Sequence, residues 1–260
     1  MTTKKLPITA CYIAGAEAHR IGKSLESVAG WVSEIVVVLN FEVSDGTDKI
    51  VESFGGKVFR EPWKNFIAQK NSAAEKANQT WILGLDADEI VSEQLKSEIT
   101  ALFESPENQI QNHGAFQFPR CTYYCERWIR HGDWYPDRVT RLWKRGSAKW
   151  IGIDPHASLQ VNGTIGRLKA DLLHYSNESI DKQITKIIPY SQDFVAHGLE
   201  TNRRPGPFDL FIRPTWRFLR AYVFRLGFLD GWPGYYIASL TAFSTLTRYI
   251  KIKEARLPQE

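Results

Sequence analysis

The sequence predicts an α/β fold with an open, mostly parallel sheet flanked by helices, followed by an amphipathic helical extension. Strand-length apolar runs alternate with helix-spaced segments over the first hundred residues, the pattern of successive βαβ units. The run Glu34–Asn40, EIVVVLN, is continuously apolar and β-branched, as expected of a strand buried on both faces of a parallel sheet. Positive charge and aromatic rings gather after residue 200. In order, Ile8 to Ile13 reads as a first strand. Arg20 to Val28 reads as a helix because Ile21, Leu25 and Val28 share one face. After the second strand, Thr47 to Phe54 is a short helix introduced by Ser44-Asp45-Gly46, and Lys57 to Arg60 is a third strand. Phe66 to Ala77 is a helix, Trp81 to Asp86 a fourth strand, and Ser92 caps a helix running to about Phe103. Sheets of this kind hold ligands at the carboxyl ends of their strands, which selects residues 14–17, 40–45 and 86–89.

The bulk composition excludes other classes. A chain of 260 residues has room for one ample α/β domain, or for one domain and an appendage. With 43% hydrophobic and 24% charged residues it is neither disordered nor fibrous, and a net charge of +4 gives no footprint for a nucleic-acid partner. Nine Trp, ten Tyr and fourteen Phe form a ring-rich set of the kind found in carbohydrate-binding and membrane-interface proteins. Cys11, Cys121 and Cys125 make an odd count suited to a reducing compartment, and Cys121 and Cys125 read as packing residues. The apolar stretch near the N-terminus is short and broken by Pro7 and Thr9, so it is expected to be a strand of a cytoplasmic protein and not a leader.

Leu-Asp-Ala-Asp-Glu, residues 85–89, places Asp86 and Asp88 two residues apart where an apolar strand ends. Two such acids can share a Mg²⁺ or Mn²⁺ ion with a diphosphate, because these ions favour oxygen ligands and keep positions open for phosphate. The same residues also suit a turn closed by Asp86 and a helix start at Asp88 and Glu89.

Four stretches, AGAEAHRIGKSLESV (14–28), WVSEIVVVLNFEVSDGT (31–47), FREPWKNFIAQKNSAAEKA (59–77) and WILGLDADEIVSEQLKSEI (81–99), form a spaced series. In this series the chain resembles the nucleotide-sugar-binding half of family 2 glycosyltransferases, inverting enzymes of the GT-A fold, and in particular the lipopolysaccharide inner-core branch. The resemblance continues through residues 127–146 and 166–176. It implies a catalytic domain over 1–200, with a nucleotide-sugar half at 1–105 and an acceptor half at 106–200, followed by a tail at 201–260. It also implies transfer from a nucleotide sugar, with UDP expected, to a lipid-linked glycan acceptor, and a divalent cation as cofactor. By position, Glu17 lies beside the nucleotide, and Asn40 stands where the family usually has an Asp that bonds the base. Gln69, Lys70 and Asn71 match a polar run facing phosphate. Asp86 falls to ribose or metal, and Asp88 to the metal. A protein or polysaccharide acceptor, or a non-catalytic nucleotide-sugar-binding role, is the alternative.

Inverting transfer needs a group that takes the proton of the acceptor hydroxyl. In relatives of the branch a His followed by an acid stands after the second-domain tryptophan, whereas here the residues are Asp154-Pro155-His156-Ala157. The candidates are therefore Asp137 and Asp154, with Asp133 as a substitute, and His156 as a metal ligand or acid–base group. His131 and His174 are assigned no chemistry. Trp128, Trp134, Tyr135 and Trp150 are candidates for stacking on sugar, and core packing is expected for at least two of them.

Residues 203–256 hold ten Lys or Arg against three acids. Arg213, Arg217 and Arg220 fall on one helical face, with Phe211, Trp216, Phe218, Leu219, Tyr222, Val223 and Leu226 around them. Gly231 to Thr247 is uncharged but interrupted by Pro233, short of the roughly 20 apolar residues a span needs, and is expected to lie in the interface. The tail thus reads as a docking element for an anionic membrane surface, which makes the protein peripheral on the inner face of the cytoplasmic membrane. A helical hairpin with solvated arginines is the alternative.

Overall fold

A computed structural model describes residues 5–105, 109–153, 156–176 and 179–257. The elements, in order, are β1 (Leu6–Ala14), α1 (Ile21–Ala29), β2 (Val32–Asn40), α2 (Thr47–Ser53), β3 (Lys57–Glu61), α3 (Phe66–Glu75), β4 (Trp81–Leu85), β5 (Glu89–Val91) and α4 (Glu93–Glu104). Then follow β6 (Ala115–Tyr124), β7 (Arg127–Ile129), β8 (Asp137–Lys144), β9 (Ala148–Ile153), β10 (His156–Val161), β11 (Ile165–Arg167) and β12 (Leu172–Tyr175). Three helices close the chain: α5 (Ile180–Glu200), α6 (Arg213–Leu219) and α7 (Gly231–Glu254). Two compact units result, the first built from residues 1–120 and 137–174, the second from 121–136 and 175–260. The composition break near residue 200 is not a unit boundary, since α5 groups with the tail.

The first unit is the α/β sheet expected from the sequence. Its strand order is β3-β2-β1-β4-β8-β6-β12-β5. β1 pairs in parallel with both β2 and β4, and β2 with β3, whereas β8 joins β4 and β6 in antiparallel fashion. Val36 to Leu39 are wholly buried, which accounts for the unbroken apolar character of β2. Ile21, Leu25 and Val28 of α1 pack into the same core, so its spacing of apolar residues is the packing face. Asn65 caps α3 by accepting from Ala68 N at 2.7 Å, and Ser92 caps α4 by accepting from Leu95 N at 3.1 Å. β4 carries Gly84 because the Trp143 ring lies directly over it, where a Cβ would stand 2.8 Å from the indole. β9 and β10 form a separate antiparallel hairpin.

One buried carboxylate ties three strands of this unit together. Glu34 Oε2 accepts from Thr9 Oγ1 (2.7 Å) and Asn78 N (2.8 Å), and Oε1 accepts from Lys57 Nζ (2.8 Å) and Asn78 Nδ2 (2.7 Å). Burial opposes its ionisation, but Lys57, Asn78 and Thr9 outweigh it and hold the carboxyl at about 2, below its ordinary 4.5. A folded-state value below the unfolded one means that the stabilisation is complete above pH 4.5 and is lost as pH falls toward 2. Urea unfolding across this window is expected to show a loss on the order of 3 kcal/mol in the wild type that is absent from Glu34→Gln. Parallel stability–pH curves for the two proteins would exclude Glu34 as the source.

The second unit is helical. The segment expected as one amphipathic helix over 211–226 is built from α6 between two π-helical turns, Phe208–Ile212 and Arg220–Phe224. Each π turn bonds i to i+5, as Arg225 N does to Arg220 O at 2.8 Å. The uncharged stretch 231–247 is about the first two-thirds of α7, which packs on α5 and α6, with Tyr249 and Ile252 against α5, while Ile237 is buried with Tyr124 and Ile129. The hairpin therefore covers much of its own apolar surface. Trp216, Val223 and Phe224 nevertheless stay exposed, as do Trp232 and Phe243. Among the described residues, no helix is long and apolar enough to cross a membrane.

Candidate active site

The carboxyl ends of β1, β2 and β4 open into a cleft of about 990 Å³ in the first unit. The loop after β1 brings in Glu17 and Arg20 and is shaped by Asp45, whose Oδ2 accepts from Ala18 N and whose Oδ1 accepts from Thr47 N, both at 3.0 Å. Asn40 enters from the end of β2, Lys70 from α3, and Asp86 and Asp88 from the end of β4. Trp150 of β9, Ala157 and Ser158 of β10, and His174 of β12 complete the wall. Glu17, Asn40, Lys70, Asp86 and Asp88, far apart in sequence, are thus brought to one place.

The two acids have different partners. Asp86 accepts from Lys70 Nζ through Oδ1 and from Arg141 Nη2 through Oδ2, each at 2.7 Å. Withdrawal from water works against its ionisation, but Arg141 and Lys70 hold its pKa well below the usual carboxylate range. Asp88 Oδ2 lies 3.3 Å from Arg20 Nη1 and 3.6 Å from His174 Nε2. Burial again opposes the charge, and so does Asp86, yet His174 and Arg20 keep Asp88 below its ordinary value. Both acids are therefore anionic at neutral pH. Beneath them, fully buried Glu89 accepts from Arg141 Nη2 (2.7 Å), Arg120 Nη1 (3.2 Å) and Asp86 N (3.0 Å).

Other expected residues lie elsewhere. Gln69 is buried in α3 and does not line the cleft, while Asn71 binds the main chain of Trp150, with Nδ2 donating to Trp150 O and Oδ1 accepting from Trp150 N, both at 2.9 Å. Asp137 begins β8 and is gripped through Oδ2 by Arg120 Nε (3.0 Å) and Nη2 (2.7 Å), with its side chain 43% exposed. Asp154 lies outside the described residues. His156 begins β10, but its side chain also falls outside the description. Asp133 belongs to the second unit, in a 3₁₀ turn at Gly132–Trp134, where Arg217, Arg220 and Arg225 surround it. Trp150 faces the cleft with Lys70 Nζ 4.8 Å from its ring centroid. Trp128 packs with Tyr123 and Tyr175, and Trp134 with Tyr124, inside the second unit.

Arg20, Arg120, Arg141 and His174 are among the cleft residues that were not anticipated. Arg141 had a readable signal, since strand alternation puts it on the face of Trp143, an unusual position for a charge unless a buried acid waits there. His174 had none, because it reaches the site through the pairing of β12 with β5.

Among the described residues, no group of three or more His, Cys, Asp or Glu side chains is arranged to hold a metal. A carboxylate and an imidazole 3.6 Å apart on a cleft wall nevertheless suit an ion that takes its remaining ligands from water or phosphate oxygens. Asp88 and His174 fit this requirement, while both oxygens of Asp86 are engaged by cations.

Known proteins share this architecture. The profile of Glycosyl transferase family 2 matches residues 8–157, more than half of the chain. An uncharacterized glycosyltransferase of Rickettsia felis is 30% identical, over 96% of this chain and 90% of its own. The lipopolysaccharide core biosynthesis glycosyltransferase LpsC of Rhizobium meliloti is 28% identical over 94% of each chain. Among solved structures, the mannosyltransferase PcManGT from Pyrobaculum calidifontis, in complex with GDP-Man and Mn²⁺, has a TM-score of 0.54 at 14% identity, covering 98% of this chain and 89% of that one. Parallel strands ending in a cleft of paired acids and cations, on this architecture, define a glycosyltransferase of the GT-A fold. The chain belongs to glycosyl transferase family 2.

Proposed function

We propose that this enzyme transfers a sugar with inversion from a UDP-sugar to a lipid-linked glycan of the lipopolysaccharide core or a related envelope glycan. The observation that supports it most is the joining of Asp86, Asp88, Lys70 and His174 on one wall of a cleft large enough for a nucleotide sugar. The name of the rhizobial relative favours the acceptor class.

In this reading Glu17 and Asn40 flank the nucleoside, with the Asn40 amide offering a donor and an acceptor to a uracil edge. Asp86, oriented by Lys70 and Arg141, faces the ribose, and Asp88 with His174 holds a divalent cation. When bound, that cation neutralises charge on the departing nucleoside diphosphate. Trp150 supplies an apolar face for the sugar. The acceptor oxygen forms its bond to the anomeric carbon as the bond to the diphosphate oxygen breaks, and its proton passes to a carboxylate. We assign that role to Asp137, which is not itself in the cleft lining but adjoins its residues Arg120 and Arg138, because two hydrogen bonds from Arg120 fix one of its oxygens, and treat Asp154 and His156 as the rivals. The tail over 203–256 holds the enzyme on the anionic inner face of the cytoplasmic membrane, as its exposed Trp216, Phe224 and Trp232 suit.

The test is transfer from a panel of UDP- and GDP-sugars to an envelope glycolipid extract, with the new anomeric linkage read by NMR. Metal-dependent transfer from one UDP-sugar with inversion is expected, and Asp137→Asn is expected to lower kcat by roughly 10²–10⁴-fold. Donor binding without transfer to any lipid fraction would overturn the acceptor assignment. An unaffected Asp137→Asn, with loss instead in Asp154→Asn or His156→Ala, would move the base.

A further inference from the structure

The second unit gathers cations around one acid to a degree that acid does not require. Asp133 is only 8% exposed, and its Oδ1 accepts from Arg220 Nη2 at 2.8 Å and from Arg225 Nη1 at 3.0 Å. Its Oδ2 lies 3.4 Å from Arg217 Nη2. A single guanidinium in bidentate contact would satisfy a carboxylate. Here three share it, each presenting further N–H groups, and their side chains remain 37% (Arg217), 33% (Arg220) and 49% (Arg225) exposed. Arg248 of α7 adds a fourth charge beside Arg217. Desolvation, together with the fields of Arg220, Arg248 and Arg225, lowers the Arg217 pKa despite Asp133. The Nε groups of Arg220 and Arg248 are buried and have no acceptor among the described residues. Mutual repulsion among these cations costs stability, and a further anion against their exposed N–H groups would relieve it.

We propose that Arg217, Arg220 and Arg225, with Arg248 behind them, form a binding site for a phosphate monoester, distinct from the nucleotide-sugar cleft. The charges select the ligand class. Four guanidiniums, Arg248 included, against Asp133 leave an excess of three, which a monoester of charge about −2 offsets more fully than a singly charged diester does. Planar forks of N–H donors suit a terminal phosphate with three free oxygens. Trp216 and Phe224, whose rings lie 5.4 Å apart, are exposed on the same helical segment, as are Leu219 and Val223, so the phosphate can be the headgroup of an amphiphile as well as a free anion.

The full chain is tested against phosphatidylcholine vesicles carrying phosphatidic acid, a monoester, or phosphatidylglycerol, a diester, at matched surface potential. A separate titration uses inorganic phosphate. Wild type is expected to prefer the monoester vesicles by at least roughly fivefold, the factor that one arginine near an anionic surface contributes. Arg217→Gln/Arg220→Gln is expected to lose the preference, whereas Arg213→Gln, whose guanidinium pairs with Asp209, keeps it. Binding of inorganic phosphate that competes with the vesicles supports the site with a free anion as ligand. Arginine-dependent preference without phosphate binding supports it with a lipid-carried ligand. Equal affinity of wild type for the two vesicle types, with no uptake of inorganic phosphate, overturns the proposal whether or not the double variant folds, and so does a preference that persists in a folded double variant.

Discussion

Asp88→Ala is expected to abolish the enhancement of UDP binding by Mn²⁺ and to lower kcat/KM by roughly a thousandfold, the equivalent of losing a few kcal/mol of charge stabilisation at the leaving diphosphate. Asp88 follows β4 with Arg20 and His174 beside its carboxylate, so its removal leaves no stranded buried acid behind. Urea unfolding should therefore move by less than about 1 kcal/mol, which separates a chemical role from a structural one. Calorimetric titration of UDP with and without Mn²⁺ is the decisive measurement. Metal-enhanced binding that survives in Asp88→Ala would take the cation away from this residue. His174→Ala should show the same loss in milder form, about 10–100-fold in metal affinity.

The largest effect on stability is expected at Arg141. This side chain is 5% exposed and its Nη2 bridges Asp86 and Glu89, the latter with no exposed surface. Arg141→Met keeps most of the volume but leaves Asp86 on the cleft wall and Glu89 beneath it without the cation that bridges them. Removing one partner of such a buried network costs about 3–5 kcal/mol, because the stranded charge must be protonated or hydrated in place. Pairing Arg141→Met with Glu89→Gln should recover a large part of that loss, since the second change removes the stranded charge. Chemical denaturation of the two single variants and the double variant tests the coupling. Strictly additive losses would show that Arg141 and Glu89 act independently.

Local pattern made the first unit readable. The β-branched run of β2, the spaced apolar residues of α1 and the Ser92 cap each depend on near neighbours, and all three elements formed within two residues of expectation. The gathering of Glu17, Asn40, Lys70, Asp86 and Asp88 at one cleft was readable too, because the ends of parallel strands must lie together once their order is known. What stayed hidden depends on pairing between distant segments. His174 sits opposite Glu89 across β12 and β5, and nothing near position 174 encodes that register. Asp133 and Asp137 are four residues apart in one loop-like stretch, yet one joins the arginines of the second unit and the other joins Arg120 in the first. The uncharged face of 231–247 is equally suited to lipid and to protein, and only the positions of α5 and α6 show that protein covers much of it.

The side-chain amide of Asn71 meets the main chain of Trp150 through a donor and an acceptor at once, as one peptide group meets another. The tryptophan is thereby indexed to helix α3 and not to the turn of its own hairpin. Beyond that anchor, β9 and β10 form a sheet of their own, joined to the ten-stranded sheet by no ladder. Exchanges in the outer part of β10 are then expected to leave the ring in the cleft, where α3 holds it. The contact that positions the ring is thus separate from the contacts that hold the two strands of the hairpin together.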